Sequence, residues 1–263
     1  MTSAASLIPP LSTEAPVPTL QSQPATVRPV PAAALVLLRS KGSDSLEVLL
    51  GRRHAAAGFM PGIYVVPGGR VEPEDGQASG FAEDLRPLPP GLDKATHKRA
   101  ASIARAAVRE TFEETGLLYG ECDDGMIDSS SVTPPGAAPI WTSYHQASVR
   151  PAFDQLSFIA RAITPSFSHR RFHTRFLLGD GRFARGRIGG DGELEDIGWY
   201  SLHDTAALPM ANITLLVLNE AVKHYKTLKN TGSEDINRSA AMFRWTGSRH
   251  NDGVSRRHGK LRA

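Results

Sequence analysis

The sequence predicts an α/β protein in which a mixed β-sheet lies between helices. Three observations predict this class: short apolar or alternating runs typical of strands, one long helical segment between two groups of them, and an amphipathic helix after residue 212. This order of strands, helix, strands and helix is typical of a layered α/β/α domain. The chain has 263 residues, 40% hydrophobic and 22% charged, which are ordinary values for a protein that buries a core.

The first group of predicted strands ends at a glycine pair. Residues 32–38 (A-A-A-L-V-L-L) form a short apolar run of the length of a buried strand, and alternating apolar residues in 46–50 predict its hairpin partner. I-Y-V-V at 63–66 predicts a third strand. Pro67-Gly68-Gly69 stops it, because proline lacks a donor and glycine permits positive φ, so we expect a loop from here through R-V-E-P-E-D.

The second half of the predicted domain begins with the long helix. Asp93 is a good N-cap residue and Gly116 suits the left-handed position that ends a helix. Strands are predicted at 156–164 and 171–178, with Pro165 between them, and at 193–200. Asn212 is the predicted cap of the last helix.

The two ends of the chain differ in composition from this central part. Residues 1–32 hold seven prolines and two charged residues, so residues 1–29 are predicted to be disordered. The domain is predicted over 30–228, and the basic segment 229–263 is predicted to be a flexible tail.

Composition also excludes several classes of function. No run reaches the ~18 apolar residues of a membrane span. The formal net charge is only +3, so no nucleic-acid partner is expected. The single cysteine, Cys122, excludes an intramolecular disulfide and a cysteine-based zinc cluster, which fits a reducing cytoplasm. A cytoplasmic protein without a membrane partner is therefore expected.

Three carboxylates crowd the end of the long helix, in V-R-E-T-F-E-E-T-G-L (108–117). Glu110, Glu113 and Glu114 fall within an arc of roughly 100°, because residues three and four apart share a helix face. One interpretation is a solvated acidic face with Arg109 paired to Glu113. The other is a magnesium platform, since Mg²⁺ binds carboxylates together with substrate phosphates.

Together with the upstream glycine turn, this helix resembles the Nudix box. Gly69, the five residues R-V-E-P-E and Asp75 match its opening, with aspartate in place of glutamate. R-E-T-F-E-E-T-G-L (109–117) matches its close, with Thr111 at a usually apolar position. The two halves are separated by 33 residues (109 − 75 − 1) instead of seven, so the box contains an insertion, which we place at 76–98.

Two further segments resemble one branch of this family, which includes a coenzyme A diphosphatase. They are G-R-R-H-A-A-A-G-F-M-P-G-I-Y-V-V-P-G-G (51–69) and I-T-P-S-F-S-H-R-R-F-H-T-R-F (163–176). The likeness covers roughly residues 30–225, although His173 stands where aspartate is expected. The resemblance implies the Nudix fold, a mixed sheet between helices.

The resemblance also implies a chemistry, the hydrolysis of a nucleoside diphosphate derivative. Mg²⁺, or Mn²⁺, would be held by Glu110, Glu113 and Glu114, with Glu110 and Glu114 catalytic and Arg109 orienting Glu110. Coenzyme A or an acyl ester is the expected substrate. ADP-ribose, dinucleotides and nucleotide sugars stay open, as does a Nudix-fold module that binds a nucleotide without turning it over.

The remaining candidate residues surround this centre. Gly68 and Gly69 would support the helix or contact the ligand, and Arg52 and Arg53 would contact substrate. The catalytic base would be Glu110, or a downstream carboxylate for which Glu193 and Glu195 are the candidates.

Other side chains have a structural or a binding interpretation. Arg171, His173 and Arg175 alternate on one strand and either meet phosphates or form a solvated face. Trp199 is expected in the core and Cys122 to be an ordinary thiol. The expected partner is a small nucleotide, with a homodimer by analogy to relatives.

Overall fold

The structure is a computed structural model, and it describes residues 27–42, 45–77, 92, 97–122, 132, 134–137, 139–166, 168–231, 240–245 and 261–262. The helices are α1 (His97–Thr115), α2 (Ile140–Gln146) and α3 (Asn212–Thr231). The strands are β1 (Val30–Lys41), β2 (Ser45–Arg53), β3 (Tyr64–Val65), β4 (Gly68–Arg70), β5 (Leu118–Cys122), β6 (Val149–Pro151), β7 (Ser157–Ile163), β8 (Phe172–Asp180), β9 (Ala184–Arg185), β10 (Leu194–Ser201), β11 (Ala241–Trp245) and β12 (Leu261–Arg262).

A mixed sheet forms the middle layer. Its strand order is β10-β2-β1-β8-β7-β11-β12, with β3 paired to β2 and β4 paired to β1. The pairs β1·β8 and β7·β11 are parallel and the other pairs are antiparallel. A smaller sheet, β6-β5-β9, lies beside it.

Two apolar cores cover the two faces of the mixed sheet. Successive residues of β1 point to opposite faces, so Leu35 and Leu37 pack with Phe112 of α1, whereas Val36 packs with Leu218 of α3. All five side chains are at most 1% exposed. The predicted mixed sheet between helices is therefore confirmed.

Most predicted elements lie where the sequence places them. The apolar runs become β1 and β2, paired as a hairpin, and the three downstream runs become β7, β8 and β10. Gly116, at φ 74°, follows the last residue of α1. The predicted cap Asp93 lies outside the described residues, and α3 begins at Asn212 itself.

The predicted loop at Gly68-Gly69 is wrong in one respect. Gly68–Arg70 form the short strand β4, which pairs antiparallel with Ala32–Ala34 of β1. Neither glycine has positive φ. The reason for glycine is close packing, because a Cβ at Gly68 would lie 2.5 Å from the Ala34 side chain and 2.6 Å from the Ala33 carbonyl oxygen.

Part of the predicted flexible tail belongs to the sheet. A-M-F-R-W is mostly apolar, and β11 pairs parallel with β7, with Phe243 only 2% exposed. The sequence analysis also missed α2 and the small sheet, which are short and lack strong periodicity. Within the described residues, no helix combines the length and the apolar character that a membrane crossing requires.

Candidate active site

The end of α1 carries a carboxylate that is buried against β4. Glu114 is 3% exposed, and its Oε2 accepts a hydrogen bond of 2.8 Å from the backbone N–H of Gly68. The same glycine packs on β1, so β4 connects the helix to the central strand of the sheet. Two of the residues predicted for the site, Gly68 and Glu114, are thus in direct contact.

A second carboxylate lies over the next glycine. A Cβ at Gly69 would lie 2.3–2.6 Å from the carboxylate atoms of Glu110, closer than any side chain can approach. Only glycine leaves room for Glu110 at this position. The two glycines are therefore needed for different reasons. Gly68 allows close packing on β1, and Gly69 leaves room for the Glu110 carboxylate.

Arg109 joins the two halves of the predicted box. Its Nε lies 2.9 Å from Asp75 Oδ1 and its Nη2 lies 3.1 Å from Asp75 Oδ2. Its Nη1 donates to Glu110 at 3.1 Å and to Glu113 at 2.7 Å, and its Nη2 also donates to the carbonyl of Arg70 at 2.9 Å. Asp75 is 1% exposed, so this aspartate is a buried anchor for the arginine that orients the helix carboxylates.

Burial perturbs these carboxylates strongly. It raises the pKa of Glu110 to about 7, against the lowering effect of Arg109 and with a further increase from Glu113. Burial also raises the pKa of Glu114 well above its usual value, although the Gly68 N–H opposes the shift. Burial alone would lower the pKa of Arg109, but Asp75, Glu110 and Glu113 raise it instead. A buried and a partly buried carboxylate with raised pKa values at one place are typical of a functional site.

Comparison with known proteins decides the family. A family model described as the NUDIX domain matches residues 28–218, which is most of the chain and includes α1, β4 and the buried carboxylates. The chain belongs to the Nudix family. The family and the assignment to the Nudix hydrolases that the sequence predicts are thereby confirmed.

One curated relative and one solved structure specify the likeness. The relative is the peroxisomal coenzyme A diphosphatase ndx-8 of Caenorhabditis elegans, 31% identical over 96 residues, which are 36% of this chain and 30% of the relative. The aligned part thus spans less than a third of that relative. The structure is a Nudix hydrolase from Alicyclobacillus acidocaldarius, with a TM-score of 0.58, 27% identity, and coverage of 76% of this chain and 93% of that one.

A glycine-rich loop that the sequence analysis did not single out contacts the C-terminus of the Nudix helix. Gly189 N donates to the Thr115 carbonyl and Asp191 N to the Glu113 carbonyl, both at 2.9 Å. A Cβ at Gly190 would lie 2.0 Å from the Glu114 carbonyl oxygen. The dense glycines of R-G-R-I-G-G-D-G (185–192) were the available signal, because a loop that satisfies helix carbonyls must approach closely.

This loop leads to Glu193 and Glu195, the two carboxylates predicted as alternative bases. Their surroundings differ. Glu193 is exposed, and its charge raises the pKa of both Glu110 and Glu114. Glu195 instead pairs with Arg52 at 3.1 Å and with His54 at 3.4 Å. Glu193 is therefore the one of the two that is electrostatically coupled to the helix carboxylates.

The predicted substrate arginines lie at the end of β2, in different surroundings. Arg52 is held in the ion pair with Glu195. The charge of Arg53 lowers the pKa of Glu114, and its buried Nε has no hydrogen-bond partner among the described residues. The charge of Arg53 thus acts on Glu114, whereas Arg52 is paired with Glu195.

The site also shows how well its residues fit a divalent cation. All candidate ligands are oxygen atoms, which suits Mg²⁺ or Mn²⁺, and a cation would stabilise the charges of the buried Glu114 and the partly buried Glu110. Within the described residues, no three His, Cys, Asp or Glu side chains converge as a ligand group. The predicted set of three stays a prediction, and Arg109 Nη1 donates to both Glu110 and Glu113. Glu110 and Glu114 fit a cation, and Glu113 would join them by leaving this ion pair.

The contacts of four further side chains that the sequence singled out are as follows. Thr111 is fully buried and its hydroxyl donates to the Ala107 carbonyl at 2.7 Å, so the polar residue in the box is satisfied within the helix. Arg171 donates to the carbonyls of Thr164 and Val27. Trp199 packs at the core edge beneath the Arg39 guanidinium, and Cys122 is a free, half-buried thiol.

Proposed function

We propose that this protein hydrolyses the diphosphate linkage of a nucleoside diphosphate derivative, with coenzyme A or an acyl ester as the first candidate. The observation that carries the proposal is the pair of carboxylates, the buried Glu114 and the partly buried Glu110, held beside a glycine strand by Arg109 and the Gly68 N–H. The coenzyme A candidate is supported by the partial likeness to the diphosphatase from C. elegans.

Glu114 and, after release from Arg109, Glu113 would hold Mg²⁺ or Mn²⁺, and Glu110 would join them where it does not act as the base. Such a cation neutralises diphosphate charge and lowers the pKa of an attacking water. The chain's own residues supply the positioning. Arg109 fixes Glu110 through Asp75, and the charge of Arg53, which acts on Glu114, would attract a phosphate oxygen.

We assign the catalytic base to Glu110, with Glu193 as the alternative. A base works best when its pKa lies near the operating pH, and burial raises the pKa of Glu110 to about 7. Glu195 is a weaker candidate because its carboxylate is paired with Arg52 and contacts the His54 imidazole. Matched Glu110→Gln and Glu193→Gln variants test the assignment, and a larger loss of kcat in Glu193→Gln would transfer the role to that residue.

The function itself is tested by a panel of diphosphates with Mg²⁺ and with a chelator. The panel contains coenzyme A, acetyl-coenzyme A, ADP-ribose, a diadenosine polyphosphate and a nucleotide sugar. We expect turnover of at least one compound, in Mg²⁺ only. Binding of a panel member without turnover would instead favour a non-catalytic nucleotide-binding module. No described feature of the candidate site supports that alternative directly.

A cytoplasmic location and a homodimer stay predictions. The C. elegans relative is described as peroxisomal, and it matches over only part of its length. Fractionation of the native protein and its mass in solution by light scattering test the two predictions.

A further inference from the structure

Three arginines gather on the α1 side of the mixed sheet, away from the buried carboxylates. Arg161 of β7 and Arg175 of β8 are direct partners in the antiparallel pair, so their side chains share a face. Arg99 belongs to the first turn of α1, and its charge acts on Arg175 together with that of Arg161. Like charges directly opposite one another on a sheet are destabilising. Arg99 and Arg161 are exposed, so the cost falls mainly on the buried Arg175, which a compensating interaction would relieve.

No such compensation is present in the described part of the chain. Arg175 is only 9% exposed, and its Nη1 donates to the carbonyl of His173 at 3.2 Å. Burial, followed by the charges of Arg99 and Arg161, lowers the pKa of Arg175 to about 10. None of the three forms an ion pair with a described carboxylate. The buried guanidinium of Arg175, beside two exposed ones, is costly unless an anion binds it.

The position of this cluster relates it to the candidate active site. Ala33 of β1 is the partner of Gly69 on one side and of Arg175 on the other, so Gly69 and Arg175 are two strand spacings apart, about 10 Å. Arg99 precedes Glu110 by eleven residues, about three helical turns, and so lies on the same side of α1. The arginines and the carboxylates thus lie on the same side of the sheet, with Arg99 about 16 Å along α1 from Glu110.

We propose that Arg99, Arg161 and Arg175 bind a phosphate monoester of the substrate that is separate from the diphosphate to be cleaved. Arginine matches phosphate by bidentate, charge-assisted hydrogen bonds, and a phosphate monoester offers three oxygens and up to two negative charges to three guanidinium groups. A single carboxylate would satisfy fewer donors.

This inference rests on the proposed function for the place of the diphosphate, and it narrows the substrate class. The favoured substrates are nucleoside 5′-diphosphate derivatives with an additional phosphate on the ribose. Coenzyme A has this phosphate, and dephospho-coenzyme A lacks only this group. The two compounds are therefore a matched pair for the test.

Binding without turnover gives the first measurement. The affinities of adenosine 3′,5′-bisphosphate and adenosine 5′-monophosphate are compared by titration calorimetry in the wild type, in Arg161→Met and in Arg161→Met/Arg175→Met. We expect the wild type to bind the bisphosphate about tenfold more tightly or better, which is the scale of one charge-assisted hydrogen bond. The ratio should fall towards one in the variants and stay unchanged in Arg150→Met, whose arginine pairs with Glu121 in the small sheet.

Steady-state kinetics with coenzyme A and dephospho-coenzyme A give the second measurement. We expect the variants to raise the KM for coenzyme A and leave the kcat/KM for dephospho-coenzyme A unchanged. Equal affinity of the wild type for both adenosine nucleotides, or a preference that survives in the double variant, overturns the inference. Absence of all diphosphate hydrolysis would instead overturn the proposed function, while the calorimetric ratio would still decide the arginine site.

Discussion

Ionised Glu114 destabilises the fold, but it lies in the candidate active site. Its carboxylate is 3% exposed and receives one backbone hydrogen bond, from Gly68, while Glu110 and Glu193 raise its pKa further. A carboxylate in this position destabilises the fold whenever it is ionised. Such a cost is typical of active sites, where stability is lost in favour of a charge needed for chemistry.

We therefore expect Glu114→Gln to stabilise the metal-free protein, by about 1 kcal/mol at pH 7.5. The amide oxygen can still accept from Gly68, and the ionised state is removed. Because the folded-state pKa is raised, the cost in the wild type is absent below the unfolded pKa near 4.5 and grows as the pH rises through the folded pKa. Urea unfolding at several pH values, with a chelator present, measures it. A variant less stable than the wild type at pH 7.5 would contradict this account.

Arg109 is a positioning residue, because its planar guanidinium contacts Asp75, Glu110 and Glu113 at once. Lysine keeps the charge but cannot make these bonds together. We expect Arg109→Lys to lower kcat by about 10- to 100-fold, the usual effect of losing a residue that orients a metal ligand or catalytic group. Steady-state kinetics at saturating Mg²⁺ check this, and an unchanged kcat would show that Asp75 has no role in orienting Glu110.

At the scale of the element, β4 is the contact between the catalytic helix and the sheet. Its two glycines are next to each other but meet different neighbours. A Cβ at Gly68 would strike the backbone of β1, whereas a Cβ at Gly69 would strike the movable end of the Glu110 side chain. The pair allows the stability of the strand and the geometry of the carboxylate to be tested separately.

We expect Gly68→Ala to lower the free energy of unfolding by several kcal/mol, because β1 cannot move away. Gly69→Ala should fold with little loss of stability, because Glu110 can rotate, but should lose most of its activity. Thermal unfolding and kcat/KM of the two variants provide the comparison. Equal loss of stability in both would show that the Glu110 contact is not adjustable.

The elements that the sequence predicts well are those specified by local patterns. The apolar runs of β1, β2, β7 and β8, the glycine after α1 and the carboxylate spacing on α1 are all readable within a few residues. Contacts between residues far apart in the sequence cannot be predicted from such local patterns. The contact of Gly68 with Glu114 joins residues 46 apart, and that of Asp75 with Arg109 joins residues 34 apart. These depend on how β4 and α1 pack, which periodicity does not encode.

At the scale of the whole molecule, the buried carboxylates of α1 have a counterpart that stabilises the fold. Glu47 on the β1–β2 hairpin is 4% exposed but pairs with Lys41 at 2.9 Å and Arg39 at 2.7 Å. These partners, Lys41 first, lower the pKa of Glu47 below 4.5 against the effect of burial. One buried carboxylate therefore has its charge satisfied within the fold, whereas Glu114 has a single backbone donor.

We expect Glu47→Gln to destabilise the protein at pH 6–8. Because the folded-state pKa is lowered, the contribution of Glu47 is fully present above the unfolded pKa and disappears as the pH falls through the folded pKa. The difference in free energy of unfolding between wild type and variant should therefore shrink below about pH 4.5. Chemical unfolding across this range measures it, with Glu121→Gln on the small sheet as the control. A difference that does not change with pH would assign the effect to packing.

The central claim is that the buried carboxylates of α1 make this Nudix protein a metal-dependent diphosphatase. The most direct test is kcat/KM at saturating Mg²⁺, on the best substrate of the diphosphate panel, for the wild type, Glu114→Gln and Glu121→Gln. The exposed Glu121 is a matched control because it lies in the small sheet and pairs with Arg150. The account predicts a loss of at least about a hundredfold in Glu114→Gln and none in Glu121→Gln. Equal rates for wild type and Glu114→Gln would contradict it.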